Sequence, residues 1–207
     1  LKLIIKQQVK MRRIYLLMFA LMLCFSMANA QVIEGTVLKS WDGASGSIEI
    51  PANVTEIAAN CFYTPAEEDP DTWEVIAEEK SNTNITSVKL NNVKKIGKNA
   101  FRGCSNIETI DAPNVETIEE GAFYGLEKLT ILSLPSIKEL GMNAFEGCNQ
   151  IAKIALGSGL AKMFGNTFKG CKAVSDISVA AGGTYKAVQN AIVSPDKTLV
   201  YLAGKAK

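Results

Sequence analysis

The stretch KKIGKNAFRGCSNIETIDAP, residues 94–113, recurs three more times along the chain. Its copies are ETIEEGAFYGLEKLTILSLP at 116–135, KELGMNAFEGCNQIAKIALG at 138–157 and AKMFGNTFKGCKAVSDISVA at 161–180. Successive copies are therefore 22, 22 and 23 residues apart. A period of this size is typical of a solenoid, in which each repeat forms one turn and buries its apolar side against its neighbours.

The copies bring apolar side chains into register. Each copy carries one phenylalanine and four aliphatic or methionine positions at fixed distances from it, and these columns are predicted to form the core. The columns are Val93, Val115, Ile137 and Leu160; Ile96, Ile118, Leu140 and Met163; Phe101, Phe123, Phe145 and Phe168; Ile107, Leu129, Ile151 and Val174; and Ile110, Leu132, Ile154 and Ile177.

The second half of each repeat has the spacing of a short strand. Apolar residues alternate there with polar ones, as in Ile110 and Ala112, and this alternation predicts a strand with one buried face. Stacked turns would pair these strands into a parallel β-sheet. The Ala-Phe-x-x-Cys block is predicted to form a short helical turn packed behind it.

The repeat pattern I-x-x-x-A-F-x-x-C-x-x-I-x-x-I-x-L-P resembles the BspA-like leucine-rich repeats of bacterial surface and secreted proteins. The resemblance covers roughly residues 45–180, and its departures are Leu126 in a Cys column, Cys61 and Thr167 in Ala columns, and one long insertion. It implies an α/β leucine-rich repeat solenoid, a right-handed stack of turns of about 22–23 residues. For function it implies adhesion or binding of host proteins, including extracellular-matrix proteins.

The spacing of the repeats, and the places where it is interrupted, predict a domain organisation. We expect an N-terminal cap at 31–50, repeats at 51–180 with an insertion at about 64–83, and a C-terminal hairpin cap at 181–207. The hairpin is indicated by two apolar runs on either side of Ser194-Pro195-Asp196-Lys197. Residues 1–10 lie before Met11 and are interpreted as upstream extra sequence.

Residues 11–30 have the three-part plan of a secretory signal peptide. Arg12 and Arg13 precede the apolar run IYLLMFALMLCF, and the small residues Ala28 and Ala30 follow. The apolar run has 12 residues, fewer than the roughly 20 that span a bilayer. We therefore expect cleavage after Ala30, export to the medium, the cell surface or the periplasm, and no stable membrane span in the mature chain.

The amino-acid composition reduces the number of functional classes to which the protein is expected to belong. Removing residues 1–30 removes five of 22 basic residues and no acidic one, which leaves 17 basic against 21 acidic residues, a net charge of −4. Only Arg102 remains among the arginines, so nucleic-acid binding is not expected. The chain has no histidine, which removes histidine-based nucleophilic and metal sites. We expect no cofactor, no metal and no enzyme.

Four cysteines follow the expected cleavage site, at positions 61, 104, 148 and 171. Because Leu126 shares their column, the first interpretation is that they are small buried core residues. The alternative is a disulfide in an exported protein. Cys148 and Cys171, which we take as the only pair on adjacent turns, are its candidates.

Two surfaces are candidates for binding a partner. The first is the outward side of the predicted strands, with Ser87, Lys89, Thr109, Asp111, Ile131, Ser133, Lys153 and Asp176. Its side chains are small and mixed, so a merely solvated sheet is the competing interpretation. Charged columns beside it, such as Glu116 with Lys138 and Glu139 with Lys162, are predicted to pair between turns.

The second candidate is the insertion, a recognition loop with an aromatic anchor. Its acidic residues surround Trp73; the candidate residues are Glu67, Glu68, Asp69, Asp71, Trp73 and Glu74. The competing and favoured interpretation is a solvated helical excursion in which Trp73, Val75 and Ile76 pack on the solenoid.

The sequence thus favours a non-catalytic binding module for an extracellular protein or glycan, with a host matrix protein as one candidate. A structural cell-envelope protein without a ligand is the alternative. A carboxylate-dependent hydrolase using Asp69 and Asp71 is the remote one.

Overall fold

The computed structural model describes residues 30–202 as a solenoid of short strands and tight turns. The predicted signal peptide therefore lies outside the described residues, apart from Ala30. The strands are β1 (Gln31–Glu34), β2 (Val37–Trp41), β3 (Gly46–Glu49), β4 (Glu56–Ile57), β5 (Tyr63–Thr64), β6 (Glu67–Glu68), β7 (Val75–Ala77), β8 (Lys80–Ser81), β9 (Ile85–Lys89), β10 (Lys95–Ile96), β11 (Thr109–Asp111), β12 (Thr117–Ile118), β13 (Ile131–Leu134), β14 (Glu139–Leu140), β15 (Lys153–Leu156), β16 (Lys162–Met163), β17 (Asp176–Val179), β18 (Lys186–Val188), β19 (Ala191–Val193) and β20 (Leu199–Leu202).

Two ladders of parallel strands run along the solenoid. The predicted one contains β3, β9 and β11, followed by β13, β15 and β17. Its register is that of the repeat, since Val88 lies opposite Ile110 and Ile154 opposite Ile177. Strands β11 and β13 are neighbours, but the ladder of hydrogen bonds is interrupted between them. The second ladder joins β2, β4, β10, β12, β14 and β16. Its strands after β2 have two residues each, too short for an alternation to predict.

The helical turns predicted behind the sheet are wrong, since residues 30–202 contain no helix. In the Ala-Phe-x-x-Cys block, Asn99 and Gly103 have left-handed φ values of 54° and 68°. A helix needs consecutive residues with negative φ, so the block is limited to tight turns, closed by Arg102 N donating to Asn99 O and Cys104 N donating to Phe101 O, both at 3.1 Å. Phe101 N donates instead to Ala122 O of the next turn, at 2.8 Å. Backbone bonding thus runs between turns.

The predicted phenylalanine column forms the centre of the core. The rings stack in sequence, with centroid separations of 4.6 Å for Phe62–Phe101, 5.2 Å for Phe101–Phe123, 5.3 Å for Phe123–Phe145 and 5.5 Å for Phe145–Phe168. Trp41 meets the first ring at 6.4 Å, and Tyr201 meets the last at 5.4 Å, both tilted. The column therefore runs from the N-terminal hairpin to the C-terminal one.

The insertion is an antiparallel β-ribbon, so the helical excursion expected for it is wrong. Strand β5 pairs with β8 at its base, and β6 pairs with β7 further out. Trp73 does not pack on the solenoid, because 78% of its surface is exposed; for Val75 and Ile76 the fractions are 58% and 50%. Two features oppose a helix here: Trp73 has a φ of 59°, and β-branched Val75 and Ile76 favour extended backbone.

Antiparallel strands close both ends of the stack. At the start, β1 and β2 form a hairpin, and β2 pairs with β4 in parallel. At the end, β19 and β20 form the predicted hairpin and β18 adds a third strand. The hydroxyl of Tyr185 accepts a hydrogen bond from Met163 N at 3.2 Å, on the edge strand β16. Within residues 30–202, no helix is long and apolar enough to cross a membrane.

Candidate binding surfaces

The exposed side of β9, β11, β13, β15 and β17, termed the strand face, contains the first set of predicted site residues. Strands β9 and β11 align Ser87 with Thr109 and Lys89 with Asp111. Strands β13, β15 and β17 align Ile131 with Lys153 and Asp176, while Ser133 lies opposite Ala155. All these predicted residues are exposed except Ser87, which is half-buried.

Several polar side chains of the strand face are paired with one another. Lys89 Nζ lies 2.9 Å from Glu49 Oε1, and Lys153 Nζ lies 3.7 Å from Asp176 Oδ2. The hydroxyl of Ser87 donates to that of Ser47 at 2.6 Å. The face has no exposed aromatic side chain among the described residues, and Ile131, 57% exposed, is its only large exposed apolar residue there. Among its described residues, the strand face therefore has no aromatic side chain surrounded by unpaired charges that could anchor a partner.

Charged columns on the second ladder are paired as predicted. Lys138 Nζ lies 2.6 Å from Glu116 Oε2, and Lys162 Nζ lies 2.5 Å from Glu139 Oε1. The hydrogen bond from Lys138 lowers the pKa of the Glu116 carboxyl. Exposed pairs of this kind contribute little to stability because solvent screens them.

The second candidate surface is the insertion, termed the acidic ribbon (residues 63–81). The tip is a tight turn organised by Asp69, whose carboxylate accepts hydrogen bonds from Asp71 N at 2.8 Å and Thr72 N at 3.1 Å. The backbone of Asp69 adds two bonds, since its carbonyl oxygen accepts from Trp73 N and its N–H donates to Glu74 O, both at 2.8 Å. Asp69 is half-buried by these contacts, whereas the other five predicted residues of the loop are exposed.

Contacts with the solenoid hold the base of the ribbon. The buried Tyr63 donates its hydroxyl to Glu79 Oε2 at 2.6 Å. Burial, followed by this carboxylate, raises the pKa of Tyr63. The guanidinium of Arg102 lies between two rings, 5.5 Å from the centre of Tyr63 and 4.2 Å from that of Tyr124. The base is therefore fixed on the repeat while the tip projects.

The acidic ribbon combines a negative charge with an uncovered apolar patch. It contains seven acidic residues and one lysine, Lys80, in residues 64–83. Its exposed apolar side chains are Trp73, Val75 and Ile76. No group of three or more side chains that could hold a metal ion is found in the described part of the chain.

The cysteines predicted as a disulfide pair are buried free thiols in the structure. Cys148 Sγ donates to Phe123 O and Cys171 Sγ to Phe145 O, both at 3.2 Å. Burial raises the pKa of Cys148 well above its ordinary value. A disulfide between the two would have to break both hydrogen bonds, and it stays a prediction.

Cys61 and Cys104 form a second pair on adjacent turns. Their distance in the sequence does not indicate that their turns are neighbours. The acidic ribbon separates them in sequence, but Phe62 stacks directly on Phe101, so their turns are neighbours. Burial raises the pKa of both thiols to about 12, and each is a poor nucleophile at neutral pH. The expectation that Cys148 and Cys171 are the only adjacent pair is therefore wrong.

A cleft of about 460 Å³, termed the root cleft, lies where the N-terminal hairpin meets the base of the acidic ribbon. Its lining contains the half-buried Trp41 and the buried Cys61, Phe62 and Tyr63. Exposed polar residues also line it; they are Asp42, Asn60, Thr64, Lys80, Thr83 and Asn84. The sequence did not predict this cleft, because its residues come from three distant segments that only the stacking of turns brings together.

Comparisons with known proteins identify the family to which the repeats belong. Residues 78–192, 115 of 207, match the family model described as BspA type leucine rich repeat region, in six copies. No curated protein matches the chain in sequence at a significant level.

Solved structures of bacterial repeat proteins resemble the chain. The leucine-rich repeat protein of T. pallidum is 17% identical, with a TM-score of 0.60 over 74% of this chain and 69% of that one. A leucine-rich repeat protein from Bacteroides ovatus is 22% identical, with a TM-score of 0.52 over 72% of this chain and 39% of that one. The pneumococcal vaccine antigen PcpA is 20% identical, with a TM-score of 0.51 over 83% of this chain and 53% of that one. This chain thus spans less than two thirds of the latter two, and the similarity establishes a shared fold.

Proposed function

We propose, from the premise that this chain belongs to the BspA-type leucine-rich repeat family, that it is a non-catalytic binding protein acting outside the cell. Its partner would be an extracellular protein, bound chiefly by the acidic ribbon. The signal-peptide pattern at residues 11–30 and the antigen among the similar structures support a secreted or surface location. Adhesion to a host matrix protein is the specific role we propose to test.

The exposure of Trp73 carries this proposal. A tryptophan with 78% of its surface exposed, beside two exposed β-branched residues, leaves a large apolar area in water. Isolated apolar residues are common on surfaces, but aromatic anchors clustered with other apolar groups characterise binding sites. The fixed base of the ribbon limits the entropy lost on binding, because it is already ordered by Tyr63, Glu79 and Arg102.

The charge of the acidic ribbon indicates the character of the partner. Seven acidic residues against one lysine produce a negative field around Trp73, which would favour a basic surface with an apolar pocket. The strand face offers no comparable field, since Lys89 and Lys153 are paired with acidic neighbours. It is therefore proposed as an adjoining contact surface and not as the anchor.

The test measures binding of the purified protein to a panel of purified basic and neutral extracellular-matrix proteins. For a bound protein, Trp73→Ala is expected to weaken affinity about 30-fold, which corresponds to the ~2 kcal/mol of a hot-spot side chain. Ile131→Ala is the matched control, an exposed apolar residue on the strand face, and should change affinity less than about twofold.

The same panel distinguishes the rival functions. Affinity unchanged by Trp73→Ala but lost on replacing Lys89, Asp111 and Lys153 together would contradict the ribbon and favour the strand face. Absence of any bound protein would favour the structural envelope role. Hydrolysis of a glycan or protein that is abolished by Asp71→Asn would overturn the non-catalytic assignment. Asp69 is unsuited to that chemistry because its carboxylate holds the turn.

A further inference from the structure

We propose that the root cleft is a separate binding site for a short, neutral glycan. The proposal does not depend on protein binding by the acidic ribbon, because the cleft lies at the base of the ribbon and excludes Trp73. Its volume of about 460 Å³ is within the ordinary range of small-ligand sites, roughly 300–1,000 Å³.

Unused hydrogen-bonding groups surround the cleft. The side chains of Asp42, Asn60, Lys80 and Asn84 line it and make no hydrogen bond or ion pair with residues 30–202. The Nε1–H of Trp41 is buried and has no acceptor among the same residues. Other lining groups already serve the fold: Asn82, for example, donates to Ala44 O at 2.9 Å. The exposed side chains of Asp42, Asn60, Lys80 and Asn84 can therefore serve a ligand.

The mixture of these groups selects the ligand class. Asp42 and Lys80 offset each other in charge, so the cleft favours neither an anion nor a cation. The amides of Asn60 and Asn84 and the hydroxyls of Thr64 and Thr83, which line the same cleft, can both donate and accept hydrogen bonds. Vicinal hydroxyl groups of a sugar do the same, and the apolar C–H faces of a sugar ring suit a lining of aromatic side chains.

A larger cleft on the second ladder lacks these properties. It has a volume of about 540 Å³ and is lined in part by Lys98, Glu119, Glu120 and Glu139. These groups are occupied, since Lys98 pairs with Glu120 at 3.0 Å, and Glu119 and Glu139 are bound by lysines of neighbouring turns. A ligand there would have to break existing ion pairs.

The experiment uses the Trp73→Phe protein, in which Trp41 is the only tryptophan. This protein is applied to an array of neutral, sialylated and sulfated oligosaccharides, and Trp41 fluorescence is titrated with lactose, N-acetyllactosamine and maltotriose. We expect binding to neutral glycans and a saturable change in emission. The double variant Asp42→Ala/Asn84→Ala should weaken binding at least tenfold.

Asn149→Ala is the matched control, an exposed asparagine on a distant turn whose side chain makes no hydrogen bond in the described structure. Its affinity should equal that of the parent, and thermal melts should show all variants folded. Binding of anionic glycans alone, or equal affinity of the double variant, would overturn the proposal. So would the absence of any glycan binding, whatever the outcome for the ribbon.

Discussion

The aromatic column is where single residues matter most. Phe101, Phe123 and Phe145 are buried and stack on rings of the turns on both sides, so each contributes its own burial and two stacking contacts. Stacked aromatic pairs add roughly 0.5–1.5 kcal/mol beyond burial. The repeat period predicted this column from sequence. It did not predict the end rings Trp41 and Tyr201, because neither lies in a repeat copy.

Truncating the central ring tests this column. Phe123→Ala should lower the free energy of unfolding by about 3–5 kcal/mol, because a cavity opens between two stacked neighbours. Urea denaturation followed by circular dichroism would measure the loss. Glu127→Ala, at an exposed position four residues away, should change stability by less than about 0.5 kcal/mol. A loss below about 1 kcal/mol for Phe123→Ala would show that the column is not a continuous core.

Among the elements, the acidic ribbon differs from every other part of the chain. The sequence predicted its position and its charge, since both follow from an interrupted period and a composition. Its structure could not be predicted in the same way. Glu67–Glu68 and Val75–Ala77 form strands of two and three residues, which are too short to show a periodic pattern in the sequence. The sequence also does not distinguish a Trp73 that packs on the solenoid from one that is exposed. The prediction of helical turns was wrong for a related reason: the sequence does not show that Asn99 has a left-handed backbone conformation.

Removing the outer ribbon should leave the solenoid intact. Thr64 lies opposite Lys80 in the antiparallel pair at the base, so residues 65–79 can be replaced by Asn-Gly, which favours a two-residue hairpin turn. None of the deleted side chains belongs to the buried core. We expect the free energy of unfolding to change by less than about 1 kcal/mol. Loss of cooperative unfolding would contradict the description of the ribbon as an appended element.

At the scale of the whole molecule, the chain is one continuous stack to which the acidic ribbon and the root cleft are added. Backbone hydrogen bonds, stacked rings and paired charges all connect each turn to the next, so stability arises from neighbouring turns. The family and the solenoid were predictable because the same residue pattern occurs in several copies, and each copy supports the same interpretation. The root cleft was not, because its residues occur once and meet only in the folded chain.

Hydrogen exchange of the native protein tests the continuous stack most directly. Amide groups that bond from turn to turn, such as Asn60 N to Lys98 O and Phe62 N to Ala100 O, both at 2.9 Å, should be protected as strongly as Phe123 N in the centre. Residues 65–79 should exchange early, since their side chains lie outside the core. We expect unbroken protection across the junction between the Phe62 and Phe101 turns. Weak protection at that junction, with the ribbon protected as strongly as the core, would contradict it.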